Sequence, residues 1–328
     1  MSYEKLKPLM SKVGCNLSPK EFQSVVNVVF HNYESIHYDT LHTDMRDNLQ
    51  QQIDLLVEDL ETNENIKFHN LKLLDVGCGT GLSTQLLLRS KLGELIDEIT
   101  LLDTSKQMLV QAEKKALTWG KNHELLEGDL SVIADVKYDV ILICSVLHHI
   151  PDLEAFLSTV NKFLNPNGIL IHLQDPNNDY MQNSIYLNRL NDLQNHFNRV
   201  KTKQSKFKII TKHLKRKLKL WLGRKDYIDL VNDELLRKKI IKKRMSADEI
   251  WSVTDIHIES DLNKETNGIS FEFLSNHLKN FNLVSRRTYG FFGVLKSELP
   301  EDFQLLEDNY ISESQLNGRN LACVWVKN

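Results

Sequence analysis

Long apolar runs are missing from this sequence. Nowhere along its 328 residues do eighteen or more uncharged apolar residues follow one another, so no membrane-spanning helix is expected. The first residues, MSYEKLKPLMSK, lack the continuous apolar segment of a secretory signal. Cysteine is scarce. Cys15, Cys78, Cys144 and Cys323 are scattered and form no CxxC pair, so neither a disulfide framework nor a cysteine-ligated zinc site is expected. No metal site is assigned, and the thiols read as the reduced thiols of a cytoplasmic protein. Proline is absent between residues 177 and 265, where glycine is also nearly absent, so that stretch has little to interrupt a helix.

What is present describes an ordinary globular chain, 41% apolar and 26% charged, long enough for one large α/β domain with insertions or for two small domains. The formal net charge of −3 hides an asymmetry. Between Lys201 and Arg244 stand 17 Lys or Arg against 4 Asp or Glu, so the rest of the chain is strongly acidic.

Four zones follow from the apolar periodicity: residues 1–65 as a helical N-terminal cap, 66–176 as an α/β core, 177–267 as an inserted basic helical lid, and 268–328 as a helix and strands completing the core sheet. In the cap, Ser18 stands before Pro19 and three residues before Glu21, a capping box ahead of the apolar FQSVVNVVF. In the core, LKLLDVG, EITLLD, HELLEGD, YDVILICSV and GILIHLQD alternate with helical segments, the signature of βαβ units and a parallel sheet. After Gly268, SFEFLSNHLKNF reads as a helix, and LVSRRTYGFFGVLKS and NLACVWVKN read as strands.

The sharpest motif is LLDVGCGTG, residues 73–81, where an apolar strand runs into Gly77, Gly79 and Gly81 before a helix. Glycines there permit positive φ and let a ligand approach the backbone at the carboxyl edge of a parallel sheet. Dinucleotide binding requires G-x-G-x-x-G, but Leu82 occupies the third glycine's place. The spacing G-x-G-x-G, with Asp75 two residues ahead, resembles instead motif I of class I S-adenosylmethionine-dependent methyltransferases. Asp103 at the end of EITLLD and Gly128-Asp129-Leu130 after the third strand follow in the order that family requires. YDVILICSVLHHIPD resembles the fourth strand and following loop of its small-molecule branch.

The resemblance implies a Rossmann-like seven-stranded sheet and S-adenosyl-L-methionine as cofactor. It implies that Asp103 accepts from the ribose hydroxyls and Asp129 from the adenine amino group. The cofactor residues it implies are Tyr38, Asp75, Gly77, Cys78, Gly79, Gly81, Asp103, Thr104, Met108, Asp129, Leu130 and Ser145. The bland alternative is that Asp103 simply caps the next helix. Tyr33, Tyr38 and Asp39 resemble the aromatic and Tyr-Asp pair that this branch carries on a helix covering the cofactor.

Beyond the fourth strand lie His148 and His149, and His172 and Asp175 end the fifth; His148, His149 and Asp175 are the candidate catalytic groups. Tyr33, His149, Trp251 and His257 are the candidate acceptor-binding residues, Trp251, Asp255 and His257 forming a polar and aromatic segment after the lid.

Inside the basic block, Phe207, Ile210, Leu214, Leu218 and Trp221 recur at steps of three or four. Three readings stand for residues 201–244: a lid or homodimer helix with solvated lysines, a peripheral membrane contact, or an acidic partner. Nucleic acid is disfavoured, because aromatics are few and no RNA-binding motif occurs. The leading functional reading is methylation of an O, N or C atom of a small-molecule acceptor. Others are methylation of a lipid or carrier-bound acceptor at a membrane, a nicotinamide-dependent oxidoreductase, and a scaffold without activity.

Overall fold

The computed structural model describes residues 3–35, 45–63, 70–180, 184–200, 227–258, 268–294 and 296–328. Seven strands form one sheet: β1 Leu71–Val76, β2 Ile96–Asp103, β3 Asn122–Glu127, β4 Tyr138–Cys144, β5 Leu164–Pro176, β6 Phe281–Tyr289 and β7 Asn320–Lys327. Their order is β3-β2-β1-β4-β5-β7-β6. Only β7 runs antiparallel to its neighbours β5 and β6. The order turns back between β1 and β4, which opens a crevice at their carboxyl ends.

The central strands are apolar on both faces because helices cover both. On one face, Leu73, Leu101, Val140 and Ile171 share a core with Leu86 and Leu109, and α3 (Met45–Asn63) closes it by packing on β6 and β7. On the other, Leu74, Ile141, Ile143 and Leu170 meet α6 (Leu153–Phe163) through Leu157 and Val160.

The expected capping box is formed: Glu21 N–H donates to Ser18 Oγ at 3.3 Å, and Glu21 Oε2 accepts from Ser18 N–H at 2.9 Å. It starts α2 (Pro19–Glu34), which follows the short α1 (Lys7–Val13). The helical insertion holds α7 (Ile185–Val200), α8 (Tyr227–Arg237) and α9 (Ala247–Thr254). Further helices are α4 (Leu82–Leu87), α5 (Lys106–Ala116), α10 (Phe271–His277) and α11 (Glu301–Ser312), besides a single turn at Lys91–Glu94.

Packing cuts across the expected zones. α1 and α2 form a separate apolar cluster with α8 and α9, joining Leu6, Phe22, Val26 and Phe30 to Val231, Leu235, Ile250 and Val253. The cap therefore combines the N-terminal helices with the second half of the insertion. By contrast α3, expected in that cap, belongs to the sheet's own core.

The C-terminal run differs too. β6 stops at Tyr289, because Gly290 adopts φ 77° and turns the chain, so GFFGVLKS is not strand. A helix not expected there, α11, follows, with Pro300 at its start and Glu301 and Asp302 in its first turn. The apolar stripe Phe207–Trp221 lies outside the described residues. Among the described residues no helix is long and apolar enough to cross a membrane.

Candidate active site

A cleft of about 530 Å³ opens over the carboxyl ends of β1, β2, β3 and β4 and is roofed by α2. That volume suits a nucleoside-sized ligand. Of the residues predicted for a cofactor, it brings together Gly77, Cys78, Gly79, Asp103, Thr104, Met108, Asp129, Leu130 and Ser145. Gly81 and Asp75 lie just behind it, and Tyr38 falls outside the described residues.

The glycines have different tasks. All three adopt positive φ, 68° at Gly77, 53° at Gly79 and 76° at Gly81. A Cβ on Gly77 would lie 2.5 Å from Val146 Cγ2, so that glycine lets β1 and the loop after β4 close together. A Cβ on Gly79 would meet nothing within 4 Å, so its missing side chain leaves open space over the cleft floor. Gly81 starts α4 and packs on Trp119 and Ala112.

Asp103 ties this loop to β2. Its Oδ2 accepts from Gly79 N–H at 2.9 Å and its Oδ1 from Ser105 N–H at 2.7 Å. Burial raises its pKa, while those two N–H donors and the neighbouring His31 oppose the shift. A carboxylate has about four acceptor sites, so two remain for a ligand hydroxyl pair. Ser105 is the N-cap of α5, its Oγ accepting from Met108 N–H, while Asp103 holds the Ser105 N–H just ahead of the helix.

Asp75 is fully buried beneath the loop. Its Oδ2 accepts from Ser83 Oγ at 2.9 Å and Thr84 Oγ1 at 2.6 Å, while Oδ1 has no partner. Burial raises its pKa to about 6, against the pull of those hydroxyls. It shapes the loop from behind and is shielded from the cleft, because β1 points its side chain toward α4.

Asp129 lines the cleft, but its Oδ1 accepts from Ser131 N–H at 2.9 Å and Ser131 Oγ at 2.5 Å. These bonds lower its pKa. Ser145 carries φ 61°, and its N–H donates to Leu173 O at 2.9 Å. A non-glycine residue in that region is strained, and here the strain sits on the cleft wall.

At the other end of the cleft is a cluster of imidazoles and carboxylates. His149 lines the wall, its Nδ1 lying 2.9 Å from Thr254 O and 3.2 Å from Asp255 Oδ1. Burial alone would favour its neutral form, but Asp255 and the Thr254 carbonyl outweigh burial and raise the pKa. Asp255 is correspondingly held down to about 2, His149 overcoming its burial. Behind His149, Asp175 Oδ1 accepts from His148 Nδ1 at 2.8 Å and from His148 N–H at 3.2 Å. His148 and Asp175 are buried and do not line the cleft. One donor atom from each of His148, His149 and Asp255 lies within 4.8 Å of the other two.

Other expectations resolve differently. Tyr33 is on the face of α2 that joins the cap cluster, whereas Lys20, Gln23, Ser24, Asn27 and His31 face the cleft. Trp251 is 42% exposed and outside the cleft, because α9 buries Ile250 and Val253 instead. His257 is buried and braces the loop: its Nε2 lies 2.7 Å from Ile150 O, and its N–H donates to His148 O at 3.2 Å. Burial drops its pKa to about 4.

Sequence reasoning missed the residues that fasten the cap. Asn32 Oδ1 accepts from Ser105 Oγ at 2.8 Å, and Gln23 Nε2 donates to His149 O at 3.2 Å. His31 faces His149 edge to face with ring centroids 5.3 Å apart. No local spacing signals such contacts; the polar face of an otherwise apolar helix is the available hint.

Residues 74–170 match a protein family described as a methyltransferase domain. The matched segment is thus similar to a methyltransferase domain. It covers the glycine loop, Asp103, Asp129 and the two histidines, whereas the cap and the C-terminal strands lie outside the matched segment. A ubiquinone biosynthesis O-methyltransferase of Azorhizobium caulinodans is 32% identical over 103 residues, 31% of this chain and 39% of that protein. A malonyl-(acyl-carrier protein) O-methyltransferase of Halalkalibacterium halodurans is 31% identical over 146 residues, 43% of this chain and 49% of its own length. The chain thus spans less than half the length of these curated relatives. A solved S-adenosylmethionine-dependent methyltransferase from Clostridium acetobutylicum aligns with 89% of this chain and 96% of its own, at 14% identity and a TM-score of 0.44.

Proposed function

We propose that the whole chain transfers a methyl group from S-adenosylmethionine to a small-molecule acceptor that enters beside His149. One observation carries this reading: Asp103 presents a carboxylate, anchored by Gly79 N–H, to a cleft whose floor is kept open at Gly79. The cofactor's ribose fits the remaining acceptor sites of Asp103, and Asp129 with Leu130 flanks the place for its base. When bound, S-adenosylmethionine supplies an electrophilic methyl on a positively charged sulfur. The chain's own work is alignment and water exclusion. α2 roofs the cleft, Gln23 fixes the His149 carbonyl, and His149 marks the wall toward which the acceptor is held.

The test is calorimetric titration of the full chain with S-adenosylmethionine, S-adenosylhomocysteine and NADH. Micromolar affinity for the first two and none for NADH is expected. Binding of NADH alone, or of none of the three, overturns the reading.

A further inference from the structure

We infer that His149 Nε2 is the general base of the reaction, that Asp255 positions it, and that the acceptor is a hydroxyl compound or phenol. The acceptor class rests on the methyl-transfer reading. The pairing of His149 with Asp255 does not.

Hydrogen bonding fixes which ring nitrogen is free. His149 Nδ1 lies 2.9 Å from Thr254 O and 3.2 Å from Asp255 Oδ1. A carbonyl and a carboxylate only accept, so Nδ1 carries the hydrogen and Nε2 keeps the lone pair. Nε2 has no hydrogen-bond partner among the described residues, yet it is not sealed from solvent. Its ring lines the cleft wall, with 17% of the side chain exposed. A carboxylate behind the ring and an unpartnered nitrogen in front are the parts of a positioned base.

The cap assembles this pair. The end of α9 supplies Thr254 O and Asp255, while from α2 Gln23 Nε2 donates to His149 O at 3.2 Å. His148, held by Asp175 Oδ1 at 2.8 Å, backs the ring with centroids 4.0 Å apart. The titratable groups facing His149 are therefore His31 from α2, Asp103 from β2, His148 beside it, Asp175 from β5 and Asp255. Burial opposes the charged ring, but Asp255, the Thr254 carbonyl and Asp175 outweigh it and raise the pKa. Such a ring takes a proton from a hydroxyl more readily than a free imidazole does. Asp103 feels the charge of His149, so the base stands close to the carboxylate proposed for the ribose.

The acceptor's O–H proton passes to Nε2, and the O–H electron pair stays on oxygen. That oxygen bonds the methyl carbon while the carbon–sulfur bond breaks and leaves its pair on sulfur. Thioethers and tertiary amines carry no such proton and gain nothing from this base.

The experiment is ¹⁵N NMR of the histidine-labelled full chain, with His149→Gln assigning the signal. Wild type is expected to show the Nδ1–H tautomer, with Nε2 titrating above the ordinary imidazole midpoint. Asp255→Asn should lower that midpoint by about one pH unit or more, while calorimetry shows S-adenosylhomocysteine binding retained. 4-Nitrophenol, added to the S-adenosylhomocysteine complex below its own titration range, should gain its visible phenolate band in wild type and not in His149→Gln. An Nε2–H tautomer in wild type, or a midpoint unchanged in Asp255→Asn, overturns the base. The tautomer is read in the wild-type chain and needs no variant to fold. Absence of the phenolate band in wild type overturns the acceptor class. A loss of S-adenosylhomocysteine affinity in His149→Gln as large as in Asp103→Ala makes His149 a cofactor ligand and overturns its role as base. No S-adenosylhomocysteine binding by wild type strikes at the methyl-transfer reading and leaves the His149–Asp255 pair standing.

Discussion

The backbone N–H of Gly79 donates to Asp103 Oδ2 at 2.9 Å, which binds the end of β2 to the glycine loop after β1. One carboxylate thus sets the loop's shape and offers its remaining acceptor sites to a ligand. Asp103→Ala is expected to weaken S-adenosylhomocysteine binding about 10- to 100-fold, the loss of hydrogen bonds to a charged group. Asp103→Asn should fall between, since it keeps one acceptor oxygen. Calorimetry at constant ionic strength gives the answer, and an alanine variant of unchanged affinity would remove Asp103 from the site.

Two neighbouring glycines should respond differently. At Gly77 an added methyl collides with Val146, so Gly77→Ala is expected to lower stability by about 1–3 kcal/mol. At Gly79 the space is open, so Gly79→Ala carries mainly the left-handed backbone cost, about 1–2 kcal/mol, and its loss appears in ligand affinity. Gly79→Arg fills the opening and should abolish binding in a folded protein. Chemical denaturation and ligand titration of the three variants separate the two effects.

Asp75 makes stability depend on pH in a stated direction. Its folded pKa is raised from 3.8 to about 6, so its contribution is fully present below 3.8 and is lost as pH rises through 6. The loss is on the order of 3 kcal/mol for a fully buried group. Asp75→Asn has no such titration. The variant's stability relative to wild type should therefore improve between pH 4 and pH 7, read as melting temperatures across that range. A parallel pair of curves would rule the effect out.

The sheet was legible because its central strands are covered on both faces and read as unbroken apolar runs. The position of Asp103 at the cleft was legible because it stands at the end of a strand, which sequence order preserves. The cap was not. Tyr33 reads as a cofactor aromatic, yet α2 turns it toward Val231 and Leu235, residues whose position no local pattern reveals. Asp255 stood in view within an acceptor-like segment, but its pairing with His149 needs α9 to bring it back against the loop after β4. Trp251 misled because its aromatic character was weighed without knowing which face of α9 is buried.

Truncating one residue of the cap should loosen the cap and spare the sheet. Leu235→Ala removes a fully buried side chain between α8 and α2 and is expected to cost about 2–5 kcal/mol locally. Amide exchange should rise in residues 19–34 and 227–254 while β1, β4 and β5 stay protected. S-adenosylhomocysteine should also dissociate faster, because α2 roofs the cleft. Uniform exchange throughout the chain would show that cap and core open as one unit.

The union of α1 and α2 with α8 and α9 also sets a timetable for synthesis. Lys5 reaches the Ile256 carbonyl at 2.8 Å, closing a loop of 251 residues, and Val26 waits for Val231 across the whole core. At a ribosomal pace of about 5–20 residues per second, that wait lasts roughly 10–40 seconds. Throughout it, Leu6, Phe22 and Val26 lack the surface that later covers them, while β1 to β5 emerge and can already pair. The nascent chain therefore presents an apolar helix pair to its surroundings until the insertion arrives.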